Sequence, residues 1–164
     1  MAPLLALPID IALLVGSWLV PGLGFLAKGS YWRAFAIFTL INGTFLTGMF
    51  LHGTVLVPEF HYTSPAFNIV SLLTFLGQLG NGGASLLVIA RDQFAEWLAQ
   101  AGRFDPANAP LWYLLPGNEQ HALFDLATLY LLVSGSANYF CVSNFYDRHI
   151  SPRRASAAEH GDSK

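Results

Sequence analysis

Residues 34–57, AFAIFTLINGTFLTGMFLHGTVLV, contain no Asp, Glu, Lys or Arg. At 1.5 Å per residue a helix of this length rises about 36 Å, which is enough to cross the hydrocarbon core of a bilayer. Between Arg33 and Arg91 the only formally charged residue is Glu59. The stretch therefore predicts a membrane-spanning helix inside a longer membrane-embedded region.

Composition supports a membrane protein. The chain has 164 residues, of which 54% are hydrophobic and 11% charged, whereas soluble domains carry about 25% charged residues. The net charge of -2 leaves no basic field to hold nucleic acid. A single cysteine, Cys141, excludes an internal disulfide and a Cys-rich zinc site. We predict an all-α, polytopic membrane protein with one domain.

Four stretches qualify as spans: residues 9–27, 34–57, 66–90 and 122–146. They form a predicted transmembrane helical domain over residues 1–148, followed by a polar, disordered tail at 149–164. Asp10 interrupts the first span and no basic segment precedes it, so we expect that span to be retained rather than cleaved as a signal peptide. After the third span, helical spacing of Phe94, Trp97, Leu98 and Ala101 predicts a short interfacial helix.

The basic residues give conflicting signals about orientation. Lys28 and Arg33 precede the second span, whereas Arg148, Arg153 and Arg154 follow the fourth. With three spans between them the two clusters cannot share the cytoplasmic side, and we favour the 28–33 turn as cytoplasmic. A re-entrant third segment would remove the conflict. Its middle, residues 77–83 (GQLGNGG), is weak as helix and leaves that alternative open.

Polar side chains inside spans are costly, so each must meet a partner or a cavity. Gln78, Asn81 and Asp125 are the residues that a polar path would use, although structural or interfacial roles are favoured for them. His52 and His121 lie near predicted bilayer faces, where a histidine can ligate a haem or a chlorophyll-type pigment, but an ordinary interfacial role is favoured.

Glycines and small residues predict close helix packing, either within the chain or against a partner. Gly80 and Ala84 form a small-x-x-x-small pair in the third segment. The residues assigned to helix packing or partner contact are Pro21, Gly22, Gly24, Gly77, Gly80, Ala84, Gly135 and Asn138.

No recognised catalytic motif and no cluster with metal-ligand spacing occurs in the sequence. We therefore expect no catalytic residues, no metal site and no enzymatic activity. An enzyme acting on lipid remains a minor alternative, because the loop residues Glu59 and His61 cannot be judged from spacing.

Two motifs resemble a known family. The run Pro21-Gly22-Leu23-Gly24, then Gly29 and Arg33-Ala34, resembles the first hairpin of small bacterial multi-pass membrane proteins of unknown function, a hairpin similar to the two-transmembrane-helix domain. The final span is similar through Thr128-Leu129-Tyr130, Gly135, Asn138 and Tyr146-Asp147. The likeness covers residues 9–148, but Phe25 stands where the family often has His, and Asn144 where it often has Asp. It implies a four-helix bacterial membrane protein and carries no known activity.

Aromatic content and small-residue spacing favour a non-enzymatic accessory subunit or assembly factor of a larger membrane complex in the bacterial inner membrane. Its expected partners are the lipid bilayer and other membrane subunits. One alternative is a small oligomeric channel or transporter. Another is a pigment- or haem-carrying accessory subunit of an electron-transfer or photosynthetic complex. No cofactor is predicted, although lipid or pigment binding is compatible with the sequence.

Overall fold

The computed structural model describes residues 3–58, 68–101 and 122–152. These residues form six α-helices and no strand, as the predicted all-α class requires. The helices are α1 (Pro3–Leu19), α2 (Leu23–Ala27), α3 (Tyr31–Phe50), α4 (Ile69–Leu79), α5 (Gly82–Gln100) and α6 (Phe124–His149).

The two longest helices, α3 and α6, form an antiparallel pair. Gly48, near the end of α3, packs on Ala127 at the start of α6, and Ala34, near the start of α3, shares a core cluster with Phe145 near the end of α6. We call the end where α3 begins and α6 ends the arginine end, after Arg33 and Arg148, and the other the opposite end. Both helices are long and apolar enough to cross a membrane.

The first predicted span, residues 9–27, is two helices rather than one. Pro21 lacks the backbone N–H that would continue α1, and Gly22 adopts φ 86°, so the chain turns after Leu19. The apolar part of α1, Ile9–Leu19, rises about 16 Å, half the thickness of a bilayer core.

This broken unit approaches the bundle from the arginine end. Leu14 packs against the cluster that contains Phe145 near the end of α6, whereas Trp18, one turn later, reaches Asn138 in the middle of α6. In α2, Phe25 contacts Phe145 again, with ring centroids 5.5 Å apart. α1 therefore runs from the arginine end to the level of the middle of α6, and α2 runs back towards the arginine end.

The third predicted span, residues 66–90, also consists of two helices, which bend by 118° between Leu79 and Gly82. Asn68 caps α4 by accepting a 2.9 Å hydrogen bond from Val70 N. α4 then runs parallel to α6, because Gly77 lies beside Leu132 and Gly80 lies one turn further along, beside Gly135.

α5 turns back from the break towards the opposite end. Val88 joins the core cluster of Phe45 and Met49, in the second half of α3. Asp92 then accepts a 3.4 Å hydrogen bond from Thr54, which follows α3. Both arms of the α4–α5 pair thus lie on the opposite-end side of the break.

The positions of Arg33 and Arg148 differ from the separation expected for the two basic clusters. Arg33 and Arg148 line one cavity at the arginine end, whereas the sequence argument had placed three spans between them. The expected separation counts residues 66–90 as one crossing, whereas the contacts of α4 and α5 favour the re-entrant alternative that the sequence left open. Arg153 and Arg154 lie outside the described residues.

The count of about four spans is not confirmed. In the described part of the chain, two helices are long and apolar enough to cross a membrane, or three if the α4–α5 pair is one broken span. The short interfacial helix expected after residue 91 is instead the last part of α5, which continues through the adjacent ion pair of Arg91 and Asp92. Ile150 is buried among Phe25 and Phe145, so the core extends past residue 148.

Candidate functional site

The α1–α2 pair and the α4–α5 pair meet beside the middle of α6. The carbonyl of Trp18, at the end of α1, lies against Gly82, at the start of α5. Leu19 lies against Gly83 in the same way. We call this meeting point the central junction; it comprises Trp18, Gly80, Asn81, Gly82, Ser134 and Asn138.

Asn138 satisfies the ends of two helices at once. Its amide nitrogen Nδ2 donates to the carbonyl of Trp18 and to the carbonyl of Gly80, both at 2.9 Å. These carbonyls close α1 and α4, and the last carbonyls of a helix have no partner within the helix. A single buried side chain of α6 therefore holds both breaks in place.

A second chain of hydrogen bonds crosses the junction to α3. Asn81 Nδ2 donates to Ser134 Oγ at 3.0 Å, and that hydroxyl donates to the carbonyl of Ile41 at 2.8 Å. Asn81, Ser134 and Asn138 are fully buried. The carboxamide oxygens of Asn81 and Asn138 are buried without a hydrogen-bond partner in the described part of the protein.

Gln78 anchors the segment that follows α3. Its Oε1 accepts a 2.9 Å hydrogen bond from Leu56 N, and its Nε2 lies 3.5 Å from the carbonyl of Thr54. The carbonyl of Gln78 itself accepts a 2.7 Å bond from Ser85 Oγ, which ties α4 to α5 across the break. Gln78 is fully buried, and its side-chain amide bonds to the backbone.

The α4–α6 contact depends on glycines on both sides. A Cβ on Gly135 would overlap the carbonyl oxygen of Gly77, and a Cβ on Gly80 would overlap the carbonyl oxygen of Gly135. Backbone atoms cannot move aside as a flexible side chain can. Gly77, Gly80 and Gly135 therefore serve contacts within this chain.

The remaining packing residues also lie in internal contacts. Gly22 lies against the backbone of Ala34, and Gly24 against Ser17 and Phe145. Pro21 is buried at the α1–α2 turn, and Ala84 packs on the core cluster around Phe45.

The structure separates the three residues of the predicted polar path. Gln78 and Asn81 lie together at the α4–α5 break, but Asp125 is an exposed residue in the first turn of α6, at the opposite end. A carboxylate at a helix N-terminus interacts favourably with the helix dipole. Asp125 is thus remote from the central junction.

Of the two candidate pigment ligands, the structure describes His52. His52 follows α3 with φ 67°, and its backbone N–H donates to the carbonyl of Met49 at 3.1 Å. His121, Glu59 and His61 lie outside the described residues. No group of three or more His, Cys, Asp or Glu within the described ranges is placed to hold a metal ion.

One exposed surface was not singled out by sequence reasoning. On α3, Thr39, Gly43 and Thr47 lie at four-residue spacing on the face away from α6, and all three are exposed. A Cβ on Gly43 would meet no atom within 4 Å. Half-buried Asn42 lies beside Gly43, and its Nδ2 donates to the carbonyl of Phe38 at 2.9 Å. We call these four residues the α3 stripe.

The fold and its long apolar helices define an all-helical protein and suggest membrane association. The profile of DUF6677, a family of unknown function, matches residues 11–160. The chain therefore belongs to this family. No curated protein and no solved structure shows a significant match to the chain.

Proposed function

We propose that this protein is a non-enzymatic, multi-pass membrane subunit that stabilises or assembles a larger membrane complex by packing α3 against a transmembrane helix of a partner. The supporting observation is the position of Asn42. It lies beside Ile41, whose carbonyl marks the depth of the central junction, on a helix long and apolar enough to cross a membrane.

A primary amide at this depth needs partners, because hydrocarbon offers it no hydrogen bonds. Within the described part of the chain, Asn42 makes one hydrogen bond, from Nδ2 to Phe38, which leaves its carboxamide oxygen without a donor. Asparagine on a transmembrane helix commonly bonds across to another helix. An adjacent subunit would supply that donor.

The neighbouring residues favour the same contact. Gly43 leaves open space at its surface, and small residues let two helix backbones approach closely. Thr47 Oγ1 donates to the carbonyl of Gly43 at 2.8 Å, so its hydroxyl is satisfied within α3 and presents a small surface. The stripe therefore offers a surface of small side chains with one polar anchor.

The glycines assigned earlier to partner contact are less suitable for this role. Gly80 and Gly135 pack against each other inside the protein. Larger residues at these positions would therefore disrupt the fold before they affected a partner. A test of assembly must therefore change the α3 stripe and leave the central junction intact.

The experiment is purification of the tagged full-length protein from its native membranes in mild detergent, followed by native mass determination. We expect a large assembly with stoichiometric partner subunits. Asn42→Leu should weaken that assembly, since one interhelical hydrogen bond in a membrane contributes about 0.6–2 kcal/mol. Gly43→Leu should abolish it, because the larger side chain would keep the partner helix from approaching α3 closely.

Leu87→Ala is the matched control, since Leu87 is exposed on α5, away from the stripe, and it should leave the assembly unchanged. The proposal fails if the unmodified protein elutes as a monomer or as a homo-oligomer alone. It also fails if Gly43→Leu retains the full set of partners.

A second candidate function, a small channel or transporter, is favoured by the central junction. Discontinuous helices that meet near mid-depth are common around transport sites, and the oxygens of Asn81 and Asn138 are buried without partners in the described part of the protein. Solute or proton flux into liposomes, lost in Asn81→Leu and retained in Asp125→Asn, would support this alternative over the subunit role.

A further inference from the structure

A cavity of about 410 Å³ opens at the arginine end, between the start of α3 and the end of α6. We call it the arginine groove; its walls include Phe25, Arg33, Ile37, Phe140, Asn144 and Arg148. It lies within the range of about 300–1,000 Å³ that small-molecule sites occupy. It is distinct from both the central junction and the α3 stripe.

The charges of the groove have one sign. Arg33 and Arg148 come from different helices and line the same space, and no acidic residue lines it. In the described ranges, the only ion pair joins Arg91 to Asp92 at the other end of the molecule. Arg33 lies in the first turn of α3 and Arg148 in the last turn of α6, so the opposite dipole ends of the two helices offset each other and the arginines carry the positive charge of the groove.

The rest of the groove is apolar. Ile37 and Phe140 line it below the arginines, and Phe140 is 76% exposed at the surface of the bundle. Asn144 adds one neutral polar side chain. The combination of two arginines with an apolar wall suits an anion that carries a hydrocarbon chain, since arginine binds phosphate oxygens in a bidentate manner.

The depth of the groove is indicated by its neighbours. Tyr31 and Trp32 begin α3 beside Arg33 and are 70% and 80% exposed. Aromatic residues of this kind concentrate at the level of lipid headgroups. The arginines therefore lie where a headgroup phosphate would lie, and the apolar walls lie where acyl chains begin.

We propose that the arginine groove binds one anionic phospholipid, with its headgroup phosphate at Arg33 and Arg148 and an acyl chain along Ile37 and Phe140. The ligand is part of the surrounding membrane, and its binding does not depend on the α3 stripe or on a protein partner. This lipid site would fix the ends of α3 and α6 relative to each other.

The test uses full-length protein in nanodiscs of phosphatidylcholine with phosphatidylglycerol as the anionic probe, released into native mass spectrometry. One phosphatidylglycerol should remain bound per chain. Its affinity should fall about fivefold in Arg33→Gln or Arg148→Gln and about 30-fold in the double variant, since each basic residue near an anionic surface contributes about 1 kcal/mol.

Arg91→Gln is the matched control, because it removes an arginine whose charge is paired with Asp92, and it should retain the lipid. Equal retention of phosphatidylcholine by the unmodified protein would overturn the proposal without recourse to any variant. So would displacement of the lipid by low-millimolar inorganic phosphate, which would identify a small-anion site, or full retention by the double variant.

Discussion

At the scale of single residues, Asn138 does more than its place in a small-residue motif indicates. One amide group serves the ends of α1 and α4, helices about 60 residues apart in sequence, with two 2.9 Å hydrogen bonds. The sequence marked Asn138 as a packing residue. It did not reveal this double role, because the two acceptors are backbone carbonyls of distant segments and leave no local pattern.

Asn138→Leu should destabilise the protein by about 2 kcal/mol, because it leaves buried carbonyl groups without donors. The measurement is the free energy of unfolding in mixed micelles. Asn144→Leu is the matched control, since it makes the same substitution at an exposed position of the same helix and should stay within about 0.5 kcal/mol. Equal stability of the two variants would show that the hydrogen bonds of Asn138 to Trp18 and Gly80 do not stabilise the fold.

At the scale of elements, the uncharged runs predicted where α3 and α6 lie but not the half-length helices. α3 ends at Phe50, so residues 51–57 of the second predicted span are not helical. Predicted spans 34–57 and 122–146 correspond to helices Tyr31–Phe50 and Phe124–His149. Hydropathy reports how apolar a segment is and carries no information about its direction. The turn at residues 80–82 was therefore visible only as a weak point within the third predicted span.

The contact between α4 and α6 depends on backbone approach at glycines. Gly135→Ala should destabilise the protein by about 1–3 kcal/mol, because the added methyl group overlaps the carbonyl of Gly77 and overpacks the interface. Thermal unfolding in detergent measures the change.

Gly43→Ala makes the same chemical change at an open position in the middle of α3. It should be neutral or stabilising by up to about 1 kcal/mol, since alanine is the better helix former. A Gly135→Ala variant as stable as Gly43→Ala would contradict the close packing of α4 on α6.

At the scale of the whole molecule, two antiparallel helices hold two half-length units that enter from different ends and meet at mid-depth. This arrangement places Arg33 and Arg148 at the same end of the molecule. The sequence contained the clue, since the re-entrant alternative was open. The contacts of Gly77 and Asp92 favour that alternative, because they place both arms of the α4–α5 pair on one side of the break.

The most direct test of this account is the sidedness of four single cysteines, introduced in a Cys141→Ala background and labelled with a membrane-impermeant maleimide in sealed vesicles. Asn68→Cys, Gln93→Cys and Asp125→Cys should react from one side, and Lys28→Cys from the other. Asn68 lies at the start of α4 and Gln93 in the second half of α5, and both are exposed. Labelling of these two positions from opposite sides would show a complete crossing and contradict the account.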